Sequence, residues 1–388
     1  YTEALALLNT AALYDHKDMN LFILKTDAFL ALDQPEEAIV LLQEALHLFE
    51  GAERTELLFE LADVYDDHEA FDKVFDCLKL ILEEDPNNEE ALYKICFWTD
   101  FTGRNEESIR LHESIINDQP YSALAWFNLA AAYQGLKLYE KAIDAYQYAI
   151  VIDEKFDYAY RNMGDAFLRL RKYKEAIEAL EKVLELSRPE DVIYEAIGHC
   201  YHRMKNYAQA RFHYKKAVHL NPDDSRLYQK IASTYMQEGH WEMAIKQMEH
   251  ALRIHKHINE YYIQLGECYM QLGQYVEAAG YFGTVVANKP KQIAGWEYLI
   301  RSLMANDQLD AALEQTELAY SSTQGKTLFI YYRSAILFKM GKSNEGLLQL
   351  EMALSKSGKW LNKLIKFYPE LIQDAKVVEL ISQYKKLK

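Results

Sequence analysis

The sequence lacks several features that would place it in a familiar class. No apolar run approaches the roughly 20 residues that a membrane-spanning helix needs. Its four cysteines, Cys77, Cys96, Cys200 and Cys268, have no paired spacing, and the chain contains no Asn-X-Ser/Thr sequon. Unpaired cysteines of this kind are typical of small buried apolar residues in a reducing compartment. The sequence therefore predicts a cytoplasmic protein without membrane insertion.

Positive charge is also scarce. The chain has 43 Lys and Arg residues against 59 Asp and Glu residues, which gives a formal net charge of −16. A nucleic-acid-binding surface needs a basic stripe to neutralise phosphates. The charge balance therefore argues against nucleic acid as a main partner.

The usual catalytic patterns are missing. There is no phosphate-cradling Gly-rich loop, no His-Glu-X-X-His, no Gly-X-Ser-X-Gly and no Cys-X-X-Cys. The nearest approach to a metal site is His199 and His202, three residues apart, which would need a carboxylate to complete a ligand set. The simpler interpretation is that the two histidines are polar residues of the groove. The sequence therefore predicts that the protein is not an enzyme and that it binds neither a cofactor nor a metal ion.

What the sequence does contain is a period of 34 residues. Tyrosines recur at this interval at Tyr160, Tyr194, Tyr228 and Tyr262. Alanines recur at the same interval at Ala142, Ala176, Ala210, Ala244, Ala278 and Ala312. A fixed period of this length predicts a stack of similar small units, each of which contacts mainly its neighbours. Such a stack has a long exposed inner face that can serve as a binding surface.

Residues 123–156 show what the unit is. Two apolar patterns with helical spacing flank a short break at residues 135–137. The first pattern comprises Trp126, Leu129, Ala130 and Tyr133, and the second comprises Ala142, Tyr146 and Ala149. Each repeat is therefore predicted to be an antiparallel pair of helices.

The pattern resembles the tetratricopeptide repeat family. The pattern of that family has a large residue at repeat position 4, Leu at 7, a small residue at 8 and an aromatic residue at 11. It has Ala at 20, an aromatic residue at 24, Ala at 27 and often Pro at 32, and residues 123–156 match it from position 4 to position 27. Glycines that fit the inter-helix turn occupy position 15, at Gly103, Gly239, Gly273 and Gly341. The resemblance implies an all-α fold, an α-α superhelical solenoid of about ten tandem helix pairs with a C-terminal capping helix.

The repeat register divides the chain into four parts. Residues 1–18 are predicted to be the second helix of a truncated repeat, so the chain is expected to be part of something longer. Residues 19–52 form one repeat, and the inserted Glu53 and Arg54 follow it. Residues 55–360 form nine tandem repeats that start at 55, 89, 123, 157, 191, 225, 259, 293 and 327. Residues 361–388 are predicted to form the capping helix.

In this family, the inner face carries ligands at positions 2, 5, 6, 9, 12 and 13 of the first helix of each repeat. Transferring those positions to this chain gives a polar and basic middle section. The candidate partner-binding residues are Asn128, Arg161, Asn162, Arg169, His199, His202, Arg203 and Lys230. Basic groups provide charge-assisted contacts and amides can hold a peptide backbone, so one hypothesis is that the groove binds an acidic segment of a partner protein.

Two specialised inner faces of the family do not fit. The carboxylate clamp of co-chaperones needs Lys and Asn where this chain has Tyr93 and Phe97. The asparagine ladder of the O-GlcNAc transferase repeats needs Asn at position 6 of successive repeats. Here only Asn128 and Asn162 supply it, and Ala196 interrupts the series.

The leading interpretation is a non-catalytic scaffold or adaptor for protein or peptide partners. Two alternatives stay open at this stage. One is that the chain is the recognition arm of a larger enzyme or signalling protein. The other is that it is an assembly factor that self-associates through exposed repeat ends. A small-molecule or metal-binding role would depend on His199 and His202 alone.

Overall fold

The computed structural model describes residues 1–14 and 16–386, which are almost entirely α-helical. The chain forms two compact units, Tyr1–Pro189 and Glu190–Lys388. The helices of the first unit are α1 (Thr2–Ala11), α2 (Met19–Leu30), α3 (Pro35–Ala45), α4 (Gly51–Asp67), α5 (Phe71–Glu84), α6 (Glu89–Thr102), α7 (Asn105–Asp118), α8 (Ala123–Gly135), α9 (Tyr139–Ile152), α10 (Asp157–Arg169) and α11 (Tyr173–Leu186).

The second unit continues the same alternation of first and second helices. Its helices are α12 (Asp191–Arg203), α13 (Tyr207–Leu220), α14 (Ser225–Gln237), α15 (Trp241–Ile254), α16 (Asn259–Gln271), α17 (Tyr275–Asn288), α18 (Ile293–Ala305), α19 (Leu309–Ser322), α20 (Leu328–Lys339), α21 (Ser343–Lys356), α22 (Leu361–Phe367) and α23 (Ala375–Lys386). Within each unit, the two helices of a pair pack against each other and against the next pair. The prediction of an all-α array of helix pairs is confirmed.

The periodic alanines lie where the helices of a pair approach most closely. All six are fully buried, with 0% exposure at Ala142, Ala176, Ala210, Ala244, Ala278 and Ala312. A small side chain at this position lets two helix backbones pack closely, and the neighbouring large side chains fill the remaining space. The 34-residue period in the sequence is therefore a packing requirement.

The turn inside each helix pair places repeat position 15 in the left-handed region. The φ angle lies between +55° and +77° at Asp33, Glu69, Gly103, Lys137, Arg171, Lys205, Gly239, Gly273, Asp307 and Gly341. Glycine meets this geometry without strain, and the sequence provides it at four of the ten positions. At the other six, helix packing holds a residue with a side chain in the same conformation.

The two inserted residues lengthen a helix and leave the stack continuous at that point. Helix α4 begins at Gly51 and runs for 17 residues, so Glu53 and Arg54 lie in its added first turn. The Arg54 side chain is fixed there, because its Nε lies 2.8 Å from Oε1 of Glu84 and its guanidinium also contacts the carbonyl of Leu46.

The C-terminal segment contains two helices. A 3-10 turn over Pro369–Gln373 separates α22 from α23, because proline cannot continue the helix that precedes it. Leu364 and Val377 are fully buried against the last helix pair, so both helices contribute to the cap. Of the predicted capping segment, residues 387–388 lie outside the described residues.

No helix in the described ranges has the length and apolar character that crossing a lipid bilayer requires.

Candidate inner-face binding site

A cleft of about 600 Å³ opens on the first helices of three consecutive repeats of the first unit, α6, α8 and α10. The middle repeat has Ala131 and Gly135 at inner-face positions 9 and 13, whereas the preceding repeat has Phe97 and Phe101 there. The small side chain of Ala131 leaves space beside these rings, while the Asn105 side chain packs against Gly135.

One wall of the cleft is aromatic. The side chains of Phe97 and Phe101 are 60% and 56% exposed, which is unusual for rings of this size. They are nevertheless held in place by other rings, because Phe97 packs edge-on against Trp98 at 4.9 Å and Phe101 against Phe71 at 4.7 Å between ring centroids. This wall is therefore an ordered apolar surface that faces solvent.

The opposite wall is a hydrogen-bonded polar network. The hydroxyl of Tyr146 donates to Oε1 of Gln134 at 3.1 Å, and Nε2 of Gln134 donates to Oδ2 of Asp165 at 3.1 Å. Burial raises the pKa of Tyr146, and Asn162 opposes that shift through a hydrogen bond to its hydroxyl. Arg169 approaches the same Asp165 oxygen at 3.5 Å. The network fixes two amides and one carboxylate at the edge of the cleft.

Asn128 lies at the back of the cleft and is only 2% exposed. Its Nδ2 donates to the carbonyl of Leu92 at 2.7 Å and lies 3.2 Å from Nε2 of His112. Its Oδ1 is buried and has no hydrogen-bond partner. The amide nitrogen therefore serves the fold, and the oxygen is the part of this side chain that is left for another group.

The two predicted arginines of the first unit have different surroundings. Arg169 lines the cleft, and its side chain is 62% exposed beside Asp165. Arg161 lies outside the cleft lining, with its guanidinium carbon 5.9 Å from the centre of the Tyr158 ring. The cleft thus brings together three of the four residues predicted in this unit, namely Asn128, Asn162 and Arg169.

The four residues predicted in the second unit form a cluster of their own. Nζ of Lys230 lies 2.8 Å from Oε1 of Glu195. Burial lowers the pKa of His199, and Lys230, Arg203 and His202 lower it further through their charges. Burial also lowers the pKa of His202. Both rings are therefore neutral near pH 7, and the positive charge of the cluster resides on Arg203 and Lys230.

Metal-ligating side chains and cysteine thiols are the remaining groups that could carry chemistry. In the part of the chain that the structure describes, no group of three or more His, Cys, Asp or Glu side chains is arranged to hold a metal ion. Burial raises the pKa of Cys77, Cys200 and Cys268 to about 12 and that of Cys96 to about 11. A nucleophilic thiol requires a lowered pKa, so these four cysteines are packing residues.

Several lining residues are not among the residues predicted from the sequence. Gln134 and Phe101 occupy inner-face positions 12 and 13, and Tyr146 has the position of a core aromatic. The available signal was Ala131, which is small where the preceding repeat has Phe97. A small inner-face residue beside a large one predicts a cleft.

Family models describe the same repeat. Two models of the tetratricopeptide repeat match residues 123–156 and 158–223. A third, for subunit 3 of the anaphase-promoting complex or cyclosome, matches residues 203–285. A search of curated proteins returns no match.

Solved structures with a similar fold include several repeat proteins. The C-terminal part of a TPR repeat-containing protein from Cytophaga hutchinsonii is 18% identical with a TM-score of 0.54, over 66% of this chain and 98% of that one. YrrB, described as a TPR protein with an unusual peptide-binding site, is 18% identical with a TM-score of 0.42, over 47% and 95%. The Cut9–Hcn1 hetero-tetramer of the APC/C matches at 14% identity and a TM-score of 0.40, over 82% and 76%. At these sequence identities the similarity to the three structures is a similarity of fold alone.

Proposed function

The chain is a tetratricopeptide repeat protein, and we propose that it is a non-catalytic scaffold that binds a segment of a partner protein in the cleft of its first unit. Repeat arrays of this fold support protein–protein interaction in general, whereas the location of a site must be argued from side chains. The observation that supports this location is the cleft itself, in which exposed aromatic rings face fixed amides across Ala131 and Gly135.

The two walls suggest how a segment is held. An apolar side chain of the partner lies against Phe97 and Phe101, where it removes exposed ring surface from water. The backbone of the segment hydrogen-bonds to the amides of Gln134 and Asn162, which are already oriented by the polar network. Because both walls are ordered before binding, little conformational entropy is lost in forming the complex.

We extend the proposal to an acidic partner segment, with one carboxylate near Arg169 in the cleft and a second near Arg161, which lies outside the cleft on the same helix. Arg169 already approaches Asp165, so a partner carboxylate must share or replace that contact. Lys230 of the second unit is paired with Glu195 in the same way. The charged contacts therefore contribute selectivity, while the apolar contact with the aromatic wall contributes most of the affinity.

A blocking substitution tests the proposal. Ala131→Trp should fill the cleft floor without a change in charge and abolish capture of the partner from a native extract. The matched control is Gln147→Trp, which places the same side chain at an exposed position on α9. Both variants are checked for unchanged helicity by circular dichroism.

The comparison has clear outcomes. Partners that are captured by the wild-type chain and by Gln147→Trp, but not by Ala131→Trp, support the cleft. If all three proteins capture the same partners, the binding site does not lie in this cleft.

A further inference from the structure

The last repeat has an arginine where the eight repeats before it have an apolar side chain. At position 7 these repeats have Leu, Ile or Met, and all eight side chains are buried: Leu61, Ile95, Leu129, Met163, Ile197, Ile231, Leu265 and Leu299. In the repeat that starts at 327, the same position is Arg333, on α20. A guanidinium group is costly at such a position unless other groups compensate it.

The contacts of Arg333 compensate it only in part. Its Nη1 pairs with Glu317 on α19, whose side chain is 59% exposed. Its Nε is buried and has no hydrogen-bond partner among the described residues. A guanidinium group has five N–H donors, and an exposed ion pair contributes little to stability. Arg333 therefore has donors available for a ligand beyond those that Glu317 uses.

Arg333 lines a cleft of about 350 Å³ between α19, α20 and α21. Its lining residues occupy none of the inner-face positions 2, 5, 6, 9, 12 and 13, so this cleft is separate from the inner face. A second cation in the lining is Lys356, at the end of α21, whose Nζ donates to the Tyr320 hydroxyl at 3.0 Å. The described lining thus holds two cations and the carboxylate of Glu317.

Apolar and aromatic side chains form much of the remaining lining. They are Tyr320, Phe329, Ile330 and Met352. Met352 is 40% exposed, and methionine side chains adapt to bodies of different shape and make favourable contacts with aromatic rings. The cleft therefore offers an apolar surface close to its two cations, which suits an anionic group on an aromatic or aliphatic body.

The charges of the lining match a dianion. Arg333 and Lys356 supply two positive charges, and Glu317 can turn towards solvent because its side chain is already largely exposed. A phosphomonoester carries about two negative charges near pH 7 and three acceptor oxygens. A planar guanidinium binds such a group through two parallel N–H donors, and a lysine binds it as a point charge.

We propose that the cleft between α19, α20 and α21 binds a phosphomonoester with an aromatic or aliphatic body. The phosphate displaces Glu317 from Arg333 and also contacts Lys356, while the body packs against Met352 and Tyr320. This site goes beyond the proposed scaffold function and does not depend on it, because it lies in the second unit and away from the inner face.

The probe is phenyl phosphate, and its affinity for the full chain is measured by titration calorimetry. Arg333→Leu restores the apolar side chain of the other repeats and should abolish binding. Lys356→Gln should weaken binding about tenfold, as expected for loss of a charge-assisted contact. Lys342→Gln makes the same change in charge at an exposed position just before α21 and should leave the affinity unchanged. Glu317→Gln removes the competing carboxylate and should strengthen binding.

Further ligands test the chemical class. Phenol should not bind, and inorganic phosphate should bind more weakly than phenyl phosphate, because each lacks one half of the proposed ligand. A capped tripeptide with phosphotyrosine between two glycines distinguishes the sources of the phosphate. Binding as tight as that of phenyl phosphate or tighter would indicate a phosphorylated side chain, and weaker binding would indicate a small phosphorylated molecule.

Three outcomes would overturn the inference: absence of binding by the wild-type chain, unchanged affinity in Arg333→Leu, and equal affinities of Lys356→Gln and Lys342→Gln. Circular dichroism shows whether Arg333→Leu keeps its helicity. If it does not, Glu317→Gln decides, and affinity that fails to rise in that variant contradicts the site. Ala131→Trp should bind phenyl phosphate as the wild type does, so this proposal and the proposed function can fail separately.

Discussion

The side-chain nitrogen of Asn128 lies 3.2 Å from Nε2 of His112, and this contact joins α8 to α7 inside the first unit. Nδ1 of His112 is 2.7 Å from the carbonyl of Ser108, so it carries the proton and Nε2 is the acceptor. The second N–H of Asn128 goes to Leu92 on α6. The repeat before Asn128 has Ser108 and His112 at positions 20 and 24, and Asn128 hydrogen-bonds to the ring of that histidine.

Removing the Asn128 amide should destabilise the first unit. Asn128→Ala leaves the Leu92 carbonyl and the His112 ring without their donor in a buried setting, which should cost about 1–3 kcal/mol in the free energy of unfolding. The measurement is urea unfolding followed by circular dichroism. Asn117→Ala, at an exposed position on α7, is the control and should change stability by less than about 0.5 kcal/mol. Equal effects of the two substitutions would contradict the network.

Stability should depend on pH through His112. Burial lowers the pKa of this ring from 6.5 to about 4. Between these two values the ring is protonated in the unfolded chain and neutral in the folded chain. The contribution of His112 to the free energy of unfolding is therefore complete above pH 6.5 and is lost as the pH falls towards 4. In that range His112 changes the free energy of unfolding by about 1.4 kcal/mol per pH unit. His112→Phe should remove this part of the pH dependence of stability. His257→Phe, a substitution of an exposed histidine, should keep it. Parallel profiles for wild type and His112→Phe would refute the assignment.

The repeat pattern predicted the fold because its signal is steric and periodic. Each alanine of the period is needed where two backbones meet, so the sequence could not vary there without loss of packing. The detailed C-terminal structure did not follow from the pattern. There, the contacts of Lys363 with Glu297 and of Phe367 with Tyr332 join residues that are distant in sequence and obey no period.

Two glycines on consecutive helices should respond in opposite ways to alanine. A Cβ atom at Gly266 would lie 2.4 Å from the ring of Phe282, which is fully buried and cannot move aside. Gly266→Ala should therefore destabilise the protein by about 1–3 kcal/mol through overpacking. Gly280 has open space around its Cβ position on α17, so Gly280→Ala should stabilise the helix by about 0.5–1 kcal/mol. Thermal unfolding of both variants measures the difference, and a shared sign would show that the packing of α16 against α17 is misassigned.

Charge reversal tests the acidic character of the partner. Arg161→Glu combined with Arg169→Glu places carboxylates where acidic groups of the partner are proposed. The double variant should bind a captured partner tenfold or more weakly, since a charge-assisted hydrogen bond contributes about 1.5–3 kcal/mol. The charge-conserving pair Arg161→Lys and Arg169→Lys is the control and should retain most of the affinity. Titration calorimetry with the captured partner gives both values. Unchanged affinity after reversal would leave the aromatic wall as the recognition element and remove the acidic requirement.

The candidate site was only partly predictable from the sequence. Inner-face positions are set by the helical period, so Asn162 and Arg169 could be placed beside a groove from their spacing alone. The burial of Asn128 could not, because it depends on hydrogen bonds to His112 and to the Leu92 carbonyl in the preceding repeat, which follow no period. Nor did the period predict that Ala131 would open a cleft, since a small side chain creates space only when its neighbours are large.

Site-specific photo-crosslinking tests the central claim most directly. The photoreactive residue p-benzoylphenylalanine replaces Phe97 in the aromatic wall or Tyr148 on α9, two positions with similar exposures of 60% and 56%. After irradiation in a native extract, the account predicts a covalent adduct of the partner with the chain labelled at position 97 and none at position 148. An adduct at position 148 alone, or at neither position when the same partner is still captured, would contradict binding in the inner-face cleft.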